Sequence, residues 1–221
     1  MKNGFAIIPG VIGGAEVDAL AHELSTASLK RSRAGIRHLL SLPAVATLAR
    51  DPRLIELAAS ALGCKPVPFG ATLFDKSVEA NWLVVWHQDT ALPLVKRREI
   101  SGWGPWSEKG GVIYAHAPAA ALEQVVALRV HLDDSTADNG PLRVLPGTHE
   151  LGVLSDEQIH AVSQRLEPVP CTVARGGVLA MRPLLVHASS KVATAAARRV
   201  IHMEYAASRV FAHGLQLHAA A

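Results

Sequence analysis

The stretch Asn81-Trp82-Leu83-Val84-Val85-Trp86-His87-Gln88-Asp89 reads as a short strand that ends on polar, coordinating side chains. Apolar, β-branched and aromatic residues fill it, the composition that suits a pleated, part-buried surface. Side chains alternate along a strand, so His87 and Asp89 point to one face and Gln88 to the other. An imidazole and a carboxylate side by side are two of the three ligands of the 2-His-1-carboxylate sites of non-heme Fe(II) oxygenases. The pair is weak evidence by itself. The chain holds 11 histidines, and two polar residues on a surface strand would look the same.

Outward from this strand the chain keeps the same character. From Pro66 on, residues 67–74, 81–87, 112–114, 125–132, 142–145, 169–173, 177–181, 184–188 and 199–205 read as strands between turns rich in Gly, Pro, Asp and Asn. Many short strands without βαβ alternation imply a mainly β fold, an antiparallel sandwich or jelly roll. One helix interrupts at 156–166, with Ser155 and Gln158 as a capping box. Residues 91–121 fit no strand pattern as a whole. This long segment carries Trp103, Trp106 and glycines at 102, 104, 110 and 111, and it reads as a lid or pocket wall. An ordered surface loop that buries its own tryptophans is the alternative.

The first 65 residues are mainly helical support. A strand at 3–8 precedes an amphipathic helix at 14–27, in which Val17, Leu20, Ala21 and Leu24 repeat at helical spacing. Pro43 opens a short helix, and Asp51-Pro52 caps another that Gly63 ends. Residues 28–40 are basic and irregular. No repeat, low-complexity tract or linker divides the 221 residues, so a single domain spanning 1–221 is expected, with the jelly roll in 66–213.

Composition excludes several classes. The net charge is +3 with scattered Lys and Arg, and the one tight cluster, Lys96-Arg97-Arg98, is too short for a nucleic-acid surface. It could instead attract an anionic part of a small-molecule substrate. No apolar run is long enough to cross a bilayer, and the N-terminus lacks the apolar core of a signal peptide. Cys64 and Cys171 are far apart and suggest a reducing, cytoplasmic setting.

Two further residues complete a constellation. His187 ends the apolar run Leu184-Leu185-Val186, and Arg198 follows 11 residues later beside Arg199. Only one of two neighbouring arginines on a strand can face inward. A guanidinium there could bind a carboxylate through two hydrogen bonds.

These residues resemble the phytanoyl-CoA dioxygenase family of Fe(II)/2-oxoglutarate oxygenases. The resemblance runs nearly end to end. It includes Gly4-Phe5 with Ile8-Pro9-Gly10-Val11, Asp51-Pro52-Arg53-Leu54, and Trp86-His87-Gln88-Asp89-Thr90. It continues through Leu132-Asp133-Asp134, Asn139-Gly140-Pro141-Leu142-Arg143-Val144-Leu145-Pro146-Gly147-Thr148-His149, and His187-Ala188-Ser189 with Arg198. Ala188 stands where the family usually has Gly. The resemblance implies a double-stranded β-helix with helices outside. It also implies Fe(II), 2-oxoglutarate and O2 as cofactor and co-substrates, and it assigns His87, Asp89 and His187 to the iron as the catalytic centre. It places Arg198 on the distal carboxylate of 2-oxoglutarate with Ser189 assisting, and it puts Gln88 and Arg129 along the co-substrate region. Hydroxylation of a C–H bond of a small organic substrate follows, since related halogenases replace the carboxylate ligand by a small residue and this chain keeps Asp89.

Three rivals remain open. Nucleic-acid demethylases of the same chemistry carry a second Arg six residues after the first, where this chain has Glu204. A non-catalytic jelly-roll module that binds a metal or ligand would show no turnover. Another cupin-like metal enzyme would have no use for Arg198.

Overall fold

In a computed structural model of the chain, the described residues are 1–29, 35–76, 83–191 and 198–219. The start of the expected strand 81–87 and part of the basic stretch 28–40 lie outside them.

The organising element is a five-stranded antiparallel sheet. Its members are β1 (Phe5–Ile8), β2 (Val67–Lys76), β7 (Val125–His131), β10 (Val178–Met181) and β12 (Arg198–Ala206), in the order β1-β10-β7-β12-β2. Its two faces do different work. Ala71, Leu73, Leu128, Val130, Ile201, Met203 and Tyr205 point one way and bury against helices. Thr72, Phe74, Lys76, Arg129, Arg198, His202 and Glu204 point the other way and line a cavity. Each fully buried aliphatic side chain on the first face stabilises by about 1.5–3 kcal/mol. The second face gives up that contribution and carries charged groups instead.

The supporting helices are α1 (Gly14–Thr26), α2 (Pro43–Leu48) and α3 (Pro52–Leu62). Val17, Leu20 and Leu24 form the buried stripe of α1, and Glu16 reaches back to the Gly13 N–H at 2.9 Å. Asp51 caps α3 by accepting from Arg53 N–H at 2.9 Å, with Pro52 in the first turn and Gly63 closing the helix at φ 73°. The Tyr205 hydroxyl donates to the Ala49 carbonyl at 3.1 Å, tying β12 to the helical layer. These helices pack on the face of the sheet that turns away from the cavity.

Across the cavity lies a four-stranded sheet of β3 (Val84–His87), β8 (Leu142–Val144), β9 (Val169–Cys171) and β11 (His187–Ser189), in the order β3-β11-β8-β9. All of its pairings are antiparallel. Two antiparallel sheets facing each other over a cavity, with helices outside, form the expected jelly roll. The capping-box helix is α5 (Asp156–Arg165), where the Ser155 N–H donates to Gln158 Oε1 at 2.8 Å. At the Asn139-Gly140 turn, Gly140 has φ 67° and a Cβ there would lie 2.6 Å from the Ser190 carbonyl. This position therefore requires glycine.

Residues 91–121 depart from expectation. They form a third antiparallel sheet, β4 (Ala91–Leu94), β5 (Trp106–Lys109) and β6 (Val112–His116), ordered β4-β6-β5 and followed by the short α4 (Ala119–Leu122). Trp103 packs against Phe211 with ring centroids 5.9 Å apart, and both Trp103 and Trp106 join the apolar cluster around Leu92, Leu94 and Leu122. Both tryptophans are half-buried against this cluster. The segment is a wall of the cavity, to which Ala91, Lys109, Tyr114 and His116 contribute.

Candidate active site

His87 and His187 come together because β3 and β11 pair antiparallel with these two residues directly opposite. Their rings lie 4.2 Å apart between centroids. Asp89 continues the β3 strand by two residues, held by its N–H on the Pro183 carbonyl at 2.9 Å. Its carboxylate lies 3.6 Å from His87 Nε2 and 3.5 Å from His187 Nε2. One potential ligand atom from each residue falls within 4.8 Å of the others, close enough for one cation with ligand bonds of about 2 Å.

The imidazole tautomers follow from their contacts. His87 Nδ1 is 2.8 Å from the Val85 carbonyl, and His187 Nδ1 is 2.8 Å from the Leu185 carbonyl. A carbonyl only accepts, so each Nδ1 carries a proton and each Nε2 is left facing Asp89. Burial pushes His187 down to about 4, against the attraction of Asp89. Burial also opposes ionisation of Asp89, but the neighbouring His187 and His87 outweigh it and hold the carboxyl below its ordinary value. Burial opposes protonation of His87, but the hydrogen bond and charge of Asp89 outweigh it and hold that imidazole above its ordinary value. A metal takes neutral imidazoles beside an ionised carboxylate, so its binding would displace any proton held between His87 and Asp89.

Next to this cluster the cavity floor is cationic. Arg198 and Lys76 are cross-strand partners on β12 and β2, and Arg129 comes from β7. Lys76 Nζ donates to Ser189 Oγ at 2.8 Å and to the Ser190 carbonyl at 2.6 Å. Arg129 Nη1 donates to His202 Nδ1 at 3.1 Å and its guanidinium lies over the Phe74 ring at 5.1 Å. The Nε atoms of Arg129 and Arg198 are buried without a partner. Burial lowers both arginines to about 10. It lowers Lys76 to about 8, with the charges of Arg198 and Arg129 adding to the effect. Buried cations with orphaned donors are costly unless an anion joins them. A small dicarboxylate is the chemistry this arrangement lacks.

The two arginines divide as strand parity requires. Arg198 faces the cavity at 3% exposure, while Arg199 turns outward onto Asp133, with Nε and Nη2 at 2.8 Å from the carboxylate. Ser189 lines the cavity, and its oxygen accepts from Lys76. Its own proton is therefore free for a bound anion. Arg129 lies on the cavity floor where the co-substrate region was expected.

Gln88 lies at the cavity, but its side-chain amide is engaged outside it. Its Nε2 donates to the Gly152 carbonyl at 2.9 Å and the Leu184 carbonyl at 2.7 Å, and its Oε1 accepts from the Leu154 N–H at 2.8 Å. The amide is fully used in fastening two loops, because Gln88 points away from His87 and Asp89. The basic cluster at 96–98 is corrected. Arg97 pairs with Glu99 at 2.8 Å, Arg98 donates to the His213 carbonyl at 2.8 Å, and none of the three lines the cavity. Lys109 and Arg37 are the bases at the cavity wall.

The sequence reading missed Lys76 and His202. Period-two counting from Arg198 along β12 reaches His202, and counting from Thr72 and Phe74 reaches Lys76. The cavity they line is about 390 Å³, within the range of small-molecule sites.

Comparisons with known proteins agree with this geometry. The model of the family described as "Phytanoyl-CoA dioxygenase (PhyH)" matches residues 1–200. A curated relative, L-proline trans-4-hydroxylase of Streptomyces griseoviridis, is 28% identical over an alignment covering 72% of this chain and 62% of that enzyme, so the chain spans less than two thirds of its length. Among solved structures, AviO1 from Streptomyces viridochromogenes Tue57 superposes with a TM-score of 0.66 at 26% identity, covering 93% of this chain and 90% of that one. HygX from Streptomyces hygroscopicus, solved with nickel, 2-oxoglutarate and hygromycin B bound, superposes with a TM-score of 0.68, covering 95% and 85%. At 21% identity that match is a likeness of fold.

Proposed function

The chain belongs to the phytanoyl-CoA dioxygenase family, and from that premise we propose that it is an Fe(II)- and 2-oxoglutarate-dependent dioxygenase. It hydroxylates a C–H bond of a small organic substrate, with succinate and CO2 as co-products. One observation carries the reading: a cluster of two imidazoles and a carboxylate beside a buried cationic floor whose arginine Nε atoms lack partners. Either feature alone has other uses. Together they match a divalent metal and a dicarboxylate held side by side.

His87, Asp89 and His187 would hold the iron, which with a chelating oxo-acid and O2 supplies the oxidising power for C–H cleavage. The residues of the chain do the rest. The backbone carbonyls of Val85 and Leu185 fix the imidazoles so that both Nε2 atoms face the metal. Arg198 would hold the far carboxylate of 2-oxoglutarate through its two-pronged guanidinium. The Ser189 hydroxyl would add a hydrogen bond, with Lys76 fixing its orientation, and Arg129 would complete the neutralisation of the dianion. Phe74, Val84 and Leu142 supply apolar walls that limit water at the reacting carbon.

The supporting experiment mixes purified protein anaerobically with Fe(II) and 2-oxoglutarate, then admits air. The expected results are a visible charge-transfer band that needs both additions and succinate release that needs O2. A protein that binds iron and 2-oxoglutarate but releases no succinate with any member of a broad substrate panel would be the non-catalytic binding module. Absence of 2-oxoglutarate binding refutes the reading.

A further inference from the structure

The cavity has an end that iron and 2-oxoglutarate do not use. Glu204 lies on β12 six residues beyond Arg198, on the same face, about 20 Å further along the strand. Its cross-strand partner is Gly70 on β2, and the register shifts immediately after Glu204. A Cβ at position 70 would come within 2.5 Å of Glu204 Oε2. The glycine therefore makes room for the carboxyl group. Among the described residues, nothing donates a hydrogen bond to that group. Asp89 and Glu204 are the two acids among the described residues that line the cavity, and the proposed function commits Asp89 to the metal.

A carboxyl serving the fold would pair with a base. Arg37 lines this part of the cavity with Tyr114 and Glu204, and among the described residues no ion pair joins it to Glu204. Lys109 lines the same cavity, yet its Nζ lies over the Tyr114 ring at 5.1 Å. Tyr114 and Thr72 add a phenol and a hydroxyl to the same region. Burial, with Asp89 adding to it, raises the Glu204 carboxyl to about 8. The group is thus set back from ionisation until a cation arrives.

Resting on the proposed function, we propose that Glu204 anchors a protonated amine of the substrate. The substrate class is then a small amine-bearing molecule whose oxidised C–H lies between the ammonium group and the iron ligands. An acid at this end selects for positive charge, since a cation draws out the ionised form and gains a charge-assisted bond, a neutral hydroxyl gains only an ordinary hydrogen bond, and an anion adds its charge to that of Asp89 and disfavours the ionised form.

Isothermal titration of the Fe(II)- and 2-oxoglutarate-loaded protein under anaerobic conditions tests this with three probes of similar size: pyrrolidinium chloride, cyclopentanol and cyclopentanecarboxylate. Pyrrolidinium is expected to bind about tenfold tighter than cyclopentanol, the gain of a charge-assisted over a neutral hydrogen bond, and the carboxylate weakest. Glu204→Gln should bring pyrrolidinium down to the alcohol's affinity, and Glu204→Asp should keep part of the preference. Equal or tighter binding of cyclopentanol, no detectable binding of pyrrolidinium, or an unchanged preference in Glu204→Gln overturns the inference. If Glu204→Gln fails to fold, the wild-type ranking of the three probes decides. Failure of the parent reading shows separately, as absent 2-oxoglutarate binding in the wild type. A Glu204-dependent amine preference in metal-free protein would then still stand.

Discussion

Replacing Arg198 by lysine separates charge from geometry at the cationic floor. The substitution keeps one positive charge beside Lys76 and Arg129 but removes the fork that can hold both oxygens of a carboxylate. Arg198 is 3% exposed and its Nε has no partner in the protein, so solvent screening takes little from a bond to a bound anion. Losing one of two charge-assisted hydrogen bonds costs about 1.5–3 kcal/mol, which is a fall of about 10- to 150-fold in 2-oxoglutarate affinity. The assay is anaerobic titration of 2-oxoglutarate into Fe(II)-loaded protein, followed by calorimetry, with iron content measured in parallel. Iron content should hold, because no iron ligand changes. Arg199→Lys is the matched control. Its guanidinium forms a half-buried pair with Asp133 and does not line the cavity, so 2-oxoglutarate affinity should not move. A loss below about threefold in Arg198→Lys, or the same loss in Arg199→Lys, would refute the placement of the co-substrate on Arg198.

His187→Ala removes one of the three proposed ligand atoms and should lower retained iron at least about tenfold after desalting; near-normal iron by elemental analysis would exclude it as a ligand. Gln88→Leu strands the Leu154 N–H and two carbonyls that the amide now satisfies, and should cost about 2–4 kcal/mol in chemical denaturation; a loss under about 1 kcal/mol would mean the loops hold without it. Lys76 gives a pH signature in the metal-free protein. Its ammonium falls from 10.5 to about 8 on folding, so between those values the unfolded chain binds the extra proton and stability increases with pH. The rise should approach about 3 kcal/mol by pH 10.5 and be lost as pH falls through 8. Burial raises the Cys171 thiol and the Tyr205 phenol and opposes this slope above about pH 9. The test is therefore the difference in stability between wild type and Lys76→Met in chemical denaturation, which should grow in favour of wild type across the window; a difference that stays constant or shrinks with pH would reverse the assignment. Glu204 does not cancel this slope, since its raised carboxyl contributes below pH 8 and has finished titrating above it.

The residues that proved legible in the sequence are those whose role depends on parity along one strand. His87 and Asp89 share a face by spacing of two, and Arg198 and Arg199 had to divide between cavity and surface. Gln88 was assigned to the co-substrate against its own parity, and the structure follows the parity. Lys76 was lost because the strand was ended at Phe74, two residues early. The sheet at 91–121 was hidden by its composition. Its strands are four or five residues long and are broken by Gly102, Gly104, Gly110 and Gly111, so no window is long enough for alternation to stand out. Glu204 was noticed only as the wrong residue for a rival class. What no local pattern could show is which strands face each other, and that pairing is what brings residue 187 to residue 87.

Both candidate histidines are oriented by carbonyls two residues earlier in the chain, with no metal needed to hold the rings. A pocket laid out in advance in this way has little means of choosing among divalent ions, whose affinities for nitrogen and oxygen ligands rise from iron through nickel to copper. Occupancy is then decided by supply. Protein recovered from a nickel column or a zinc-rich medium would arrive already plugged, and would read as inert until stripped with a chelator and reloaded with ferrous iron.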